Sequence, residues 1–200
     1  MLTRLSGIVF DLDGTLVDSA LDFPAMRRDI GCPEGSGLLE FVETLDCESE
    51  RASATAVIHR HEMAGAARAT WMPGASSLLH SIADADMPVG IVTRNSREAA
   101  GVTLAALGAP PLELVAREDA RPKPDPEGLL KLAERWQLAP ESLAYVGDFR
   151  FDIEAAKRAG MMAVLYLQDK NRDYADDADL VFSHFDELAR WLPPAAPSRS

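Results

Sequence analysis

The chain has 200 residues, 47% of them hydrophobic, enough apolar material for one good core and a small second module. Its 32 acidic residues outnumber 20 basic ones, and the net charge of -12 argues against a nucleic-acid backbone or an anionic membrane surface as the main partner. An anionic substrate would therefore have to meet locally supplied positive charge. Two cysteines, Cys32 and Cys47, lack metal-ligand spacing, which speaks against a disulfide framework or a zinc site and fits a reducing cytoplasm. The longest stretch free of Asp, Glu, Lys and Arg, Ala69 to Ala83, is broken by Pro73 and Gly74 and is too short to span a bilayer. Asp11 interrupts the first apolar run before it reaches the length of a signal peptide, so a soluble, unexported protein is expected.

Leu5 to Phe10 is apolar on both alternations, the pattern of a central parallel strand covered on both faces. From Val17 to Thr70 no strand pattern appears. That segment predicts three helices, Asp22 to Ile30, Gly37 to Leu45 and Ser49 to Thr70; in the last, Ala54, Val57, Ile58, His61 and Ala64 follow three-to-four spacing. Gly14-Thr15 and Pro73-Gly74 can serve as hinges at its two ends.

Strand patterns resume at Met87 to Thr93, more weakly at Leu112 to Val115, then at Leu143 to Gly147, Met162 to Leu167 and Leu180 to Phe182. Between them, Ser96 can cap a helix running to Leu107 before Gly108, Asp125-Pro126 can open one through Trp136, and Asp152 to Ala159 ends at Gly160. This alternation predicts an α/β fold, a Rossmann-like doubly wound parallel sheet core with a small all-helical cap inserted after the first strand. The expected division is a core of residues 1–16 and 71–192, a helical cap of residues 17–70 and a Pro-rich tail of residues 193–200.

In an open parallel sheet the ligand site lies beyond the carboxyl ends of the strands. Asp11 and Asp13 follow the first predicted strand, Thr93 ends the second, Lys123 in RPKPDP follows the third, and Asp148 follows the fourth with Asp152 four residues on. Each has an ordinary structural reading beside the functional one. The two aspartates could form a turn, Thr93 could be a β-branched strand residue, Lys123 a solvated cation and Asp152 a helix N-cap. His59 and His61 stand two apart on a helix and point to different faces, so they make no metal site.

Together, however, DLDGT, the Thr closing IVTRN, the Lys of RPKPDP and GDFRFD resemble, in order, the four motifs of the haloacid dehalogenase superfamily. The resemblance covers almost the whole chain. It implies Asp11 as nucleophile, forming an aspartyl-phosphate, and Asp13 as the acid and base that serves the leaving group and then the attacking water. It implies Mg2+ held by Asp11, the backbone carbonyl of Asp13 and Asp148, with Thr93 and Lys123 on the phosphoryl group and Asp152 acting through its neighbours. Asn95, just past Thr93, is a candidate contact to substrate.

Within that superfamily, the dehalogenases lack the second aspartate that stands here as Asp13, and phosphonatases use a lysine of the insert, whereas residues 17–70 contain none. The expectation is a Mg2+-dependent phosphatase acting on a small organic phosphate monoester, similar to phosphoglycolate phosphatases. The alternatives are a β-phosphoglucomutase-like phosphomutase and a non-catalytic binding module. No nucleic-acid or membrane partner is expected, and the oligomeric state is left open.

Overall fold

In the computed structural model, which describes residues 5–190, six parallel strands form one sheet: β1 (Gly7–Phe10), β4 (Val89–Val92), β5 (Glu113–Val115), β6 (Leu143–Gly147), β7 (Met162–Tyr166) and β8 (Leu180–Phe182). Their order is β5-β4-β1-β6-β7-β8. Two short strands stand apart, β2 (Val17–Asp18) and β3 (Thr70–Trp71), paired antiparallel with Val17 opposite Trp71. The helices are α1 (Phe23–Ile30), α2 (Leu38–Thr44), α3 (Glu48–Ala66), α4 (Ala75–Asp84), α5 (Arg97–Ala106), α6 (Glu127–Trp136), α7 (Arg150–Ala159) and α8 (Phe185–Ala189). The tail expected at residues 193–200 lies outside the described residues.

The doubly apolar strand patterns have a direct packing explanation. Ile8 and Phe10 of β1 face a core shared with Leu78 and Ile82 of α4, Leu104 of α5 and Phe185 of α8. Val9 faces the other way, into a core with Leu129 and Leu132 of α6 and Ile153 and Ala156 of α7. A strand buried on both faces has no polar face to alternate with its apolar one, so a continuous apolar run is what this layering demands.

Local signals place several helix ends. Asp22 accepts a hydrogen bond from Ala25 N at 2.8 Å and Gly31 closes α1 in the left-handed region at φ 71°. Ser96 caps α5 through Ala99 N, and Gly160 ends α7 at φ 76°.

Four expectations need correction. The third helix of the insert stops at Ala66 rather than Thr70, and the segment expected to hold no strand carries β2 and the first residue of β3. Thr70 and Trp71 leave the helix because a ladder to Val17 and Asp18, together with Met72 N donating to Leu16 O at 2.9 Å, competes for their backbone groups. That partner lies far off in sequence, where helical periodicity carries no trace of it. The buried face of α3 is also rotated from the expected one, with Ala54, Ile58, Glu62, Gly65 and Ala66 inside and Val57 and His61 only half-buried. An acid at an interior position hid that face. Finally, α4 forms from the segment after Gly74, where no helix was anticipated.

Helices α1 to α3 have a small apolar cluster of their own, built on Met26, Val42, Ala54 and Ile58. They stand between β2 and β3, over the carboxyl edge of the sheet. Among the described residues no helix is long and apolar enough to cross a membrane.

Candidate active site

From β1 the chain moves outward through β4 to β5, then returns to the other side of β1 to build β6, β7 and β8. The switch point therefore lies between β1 and β6, where neighbouring loops diverge and leave a crevice. Asp11 follows β1 there, anchored by its N–H to Val146 O at 2.8 Å, and Asp148 follows β6. Thr93 follows β4 on the other side of β1, with its N–H on Val115 O at 3.0 Å.

Lys123 reaches this point from the loop after β5 and is buried. Its ammonium donates to Asp11 Oδ1 at 2.5 Å, to Asp152 Oδ1 at 2.7 Å and to the Tyr145 hydroxyl at 2.8 Å, which uses all three of its protons. Burial works against the lysine's charge, but Asp11 and Asp152 outweigh it and hold the ammonium above its ordinary pKa.

Asp152 is not the N-cap of α7, a position held by Phe149, but it serves that helix end and the site together. It sits in the first turn of α7, where one carboxylate oxygen accepts from Phe149 N at 2.9 Å as a helix cap while the other holds Lys123. Tyr145 lies within 3.1 Å of both Asp152 Oδ1 and Val92 O. It was missed in the sequence, although a tyrosine in the middle of a buried strand needs a partner for its hydroxyl and so marks a polar spot nearby.

Asp13 accepts hydrogen bonds from the Ser19 hydroxyl and the Asn95 side-chain amide, while Asn95 N donates to Thr93 Oγ1 at 3.1 Å. Asn95 thus joins the loop after β4 to the loop after β1. Burial pushes the Asp13 carboxyl above its ordinary range, with the Ser19 and Asn95 bonds opposing the shift. Ser19 had no recognisable sequence signal. Thr15 is buried, and its hydroxyl finds no partner among the described residues.

Asp11 feels the crowding most. Burial, opposed by Lys123 and reinforced by Asp152 and Asp148, pushes its carboxyl up to about 8. Asp148 is raised for the same first reason, with Lys170 at 3.0 Å opposing it. Four carboxylates, Asp11, Asp13, Asp148 and Asp152, face two ammoniums, Lys123 and Lys170, an imbalance that suits a divalent cation.

The donor set fits one. Oxygens of Asp11, Asp148 and Asp152 lie within 4.8 Å of one another, and oxygens sharing a Mg2+ at about 2.1 Å each fall within such a span. Asp152 has both oxygens committed to the protein, whereas Lys123 takes only one oxygen of Asp11. Asp11 and Asp148 thus have more carboxylate capacity left to offer a cation than Asp152 has. Asn171, also missed in the sequence, steadies this edge by donating its side-chain amide to Asp148 O at 2.8 Å and Tyr166 O at 2.9 Å.

The carboxylates open into a cavity of about 580 Å³, closed on its far side by α1, α2 and α3. All the site residues expected from the sequence, Asp11, Asp13, Thr93, Asn95, Lys123, Asp148 and Asp152, line it.

Fold and site together define an α/β enzyme whose polar groups converge at a topological switch point beneath a helical insert. The family described as haloacid dehalogenase-like hydrolase matches residues 24–166, and the chain belongs to that family. A haloacid dehalogenase-like hydrolase domain-containing protein of Arabidopsis thaliana is 30% identical over 187 residues, spanning 88% of this chain and 76% of that protein. A phosphoglycolate phosphatase of Rhodospirillum rubrum is 29% identical, spanning 92% of this chain and 90% of that one. The crystal structure of a hydrolase from Pseudomonas syringae superposes with a TM-score of 0.76 at 22% identity, over 94% of this chain and 100% of that one.

Proposed function

We propose that this protein is a Mg2+-dependent phosphatase that hydrolyses a small organic phosphate monoester through an aspartyl-phosphate on Asp11, with residues 17–70 as its cap. The observation that carries this reading is the pairing of Asp11 Oδ1 with the buried Lys123 ammonium at 2.5 Å, which orients the carboxylate and leaves its other oxygen toward the cavity. The kinship with a phosphoglycolate phosphatase supports the same chemistry. Both cysteines are free, which suits a cytoplasmic enzyme.

Asp11 and Asp148, with the Asp13 carbonyl, would hold Mg2+, which when bound offsets negative charge on the phosphoryl group and on the carboxylates. In the first step an oxygen of the Asp11 carboxylate attacks phosphorus, the bond from phosphorus to the leaving oxygen breaks, and Asp13 gives that oxygen its proton. A carboxyl raised by burial holds a proton nearer neutrality than an exposed aspartate does, which suits the acid role. In the second step Asp13 takes a proton from water as the water oxygen attacks phosphorus. The bond to Asp11 breaks and inorganic phosphate leaves.

Thr93 and Asn95 would donate to phosphoryl oxygens. Lys123, with its three protons engaged, contributes charge and the orientation of Asp11. Asp152 keeps Lys123 in place.

The test is phosphate release from a panel of monoesters, with Mg2+ or EDTA, comparing the parent with Asp11→Asn. Loss of a nucleophile is expected to lower kcat by roughly four orders of magnitude or more, and EDTA should abolish release. Interconversion of sugar phosphates without net release would favour the mutase. Undiminished release by Asp11→Asn would overturn the proposed nucleophile.

A further inference from the structure

We infer that this site selects its ester by a ring in the leaving group, a flat or cyclic face held against Phe149 of the core and Phe23 of the helical insert. The inference rests on the phosphatase reading and adds the leaving group to it.

Phe23 and Phe149 are 51% and 42% exposed, and no other phenylalanine is so exposed among the described residues. Both line the same cavity, one from each side. Apolar area left in water is unfavourable in proportion to its extent, and its placement at a cavity mouth marks a contact surface. Phe149 follows Asp148 directly and lines the same cavity as Asp11, which puts its ring among the surfaces open to the alcohol portion of an ester bound there.

The ring is held in place without a ligand. Phe149 meets Phe151 edge to face, centroids 5.1 Å apart, and Tyr174 in the same manner at 5.5 Å. The Arg150 guanidinium lies 4.9 Å from the Phe151 centroid, and Arg94 lies 5.2 Å from it. An aromatic surface braced in this way loses little freedom when a second ring settles on it. Met26, Leu38 and Ile58 continue the apolar wall on the insert side.

Part of the positive charge at this end is spent on the protein itself. Arg27 donates to Pro33 O at 2.9 Å and Ser36 O at 2.5 Å, and Arg94 pairs with both oxygens of Glu40 at 2.7 and 2.6 Å. Arg94 is thereby neutralised, whereas the Arg27 bonds all come from Nη1 and leave its charge without a carboxylate partner among the described residues. Arg27 and Arg150 both line the cavity and have no carboxylate partner among the described residues, so a carboxylate-bearing ester is the competing case for the test.

Initial rates would be measured with benzyl phosphate, ethyl phosphate, glucose 6-phosphate and 2-phosphoglycolate, all phosphates of primary alcohols, for the parent, Phe23→Ala, Phe149→Ala and Arg150→Ala. One well-placed aromatic contact is worth up to about tenfold, so kcat/KM should favour benzyl over ethyl phosphate by roughly that factor, chiefly through KM. Each phenylalanine variant should draw the benzyl-to-ethyl ratio toward unity. A matching preference for glucose 6-phosphate extends the ring to saturated sugars, and its absence confines it to flat aromatic groups. Equal use of benzyl and ethyl phosphate by the parent, or an unchanged ratio in both phenylalanine variants, would overturn the inference alone. So would a preference of the parent for 2-phosphoglycolate over benzyl phosphate, with Arg150→Ala showing whether Arg150 or Arg27 holds the carboxylate. No release from any of the four overturns the phosphatase reading and this inference with it.

Discussion

Truncating Glu62 should loosen the seam between the helical insert and the loop that follows β4. Glu62 is 4% exposed, and its carboxylate accepts from Arg117 Nη1 at 2.6 Å, Arg117 Nη2 at 3.3 Å and Ser96 N at 3.2 Å. Arg117 in turn donates its backbone N–H to Asn95 O at 3.0 Å, so the ion pair braces the loop that presents Thr93 and Asn95. In Glu62→Ala the guanidinium, whose side chain is 15% exposed, and the Ser96 N–H lose their acceptor together. Breaking a buried pair costs about 3–5 kcal/mol, and the partial exposure of Arg117 argues for the lower end, about 3 kcal/mol. For a chain of this size each kcal/mol moves Tm by about 2–4 °C, which gives a fall of about 6–12 °C. Glu62→Gln keeps an acceptor for Ser96 N and one Arg117 nitrogen and should lose about half as much. Thermal and urea unfolding of the three proteins would measure this. A Glu62→Ala variant within about 2 °C of the parent would refute the assignment of Glu62 as an anchor.

Two further outcomes follow from the crowded carboxylates. Without metal, folded Asp11 titrates near 8 against 3.8 in the open chain, and Asp13 and Asp148 are raised as well. The folded protein then binds protons that the unfolded chain has released, so in EDTA Tm should fall as pH rises between about 4 and 8. Mg2+ should raise Tm most at the upper end of that range; an EDTA profile that is flat or rises with pH would contradict it. Gly14 has φ 83°, and a Cβ there would stand 2.5 Å from Asp148 Oδ2. Gly14→Ala should cost about 1–2 kcal/mol from backbone handedness alone, and displacement of Asp148 should weaken Mg2+ binding, measured by calorimetry, by more than the loss of stability suggests.

The core was legible because its signals are local. A strand buried on both faces must be apolar throughout, which marked β1, β4, β6 and β7, and polar residues at their carboxyl ends announced Asp11, Thr93 and Asp148. The insert was less legible. Glu62 interrupts the apolar face of α3 because its charge is satisfied by Arg117, and no local rule distinguishes a paired interior acid from a solvated one. Tyr145 and Ser19 act through partners contributed by other elements, so their roles exist only once the chain has folded.

The order of residues alone determined the α/β class and the helical interruption after the first strand, since periodicity and strand-end position are properties of short segments, while phosphoryl chemistry for the strand-end side chains is what their resemblance to the family's motifs implies. Tertiary structure decided what those side chains do to one another. It spent all three protons of Lys123, divided Asp152 between a helix end and a lysine, tied Asn95 to Asp13, and brought Phe23 and Phe149 to one cavity. Charge, burial and hydrogen bonding depend on distances across the sheet, and those distances are set only when the β1–β6 crevice closes around its residues.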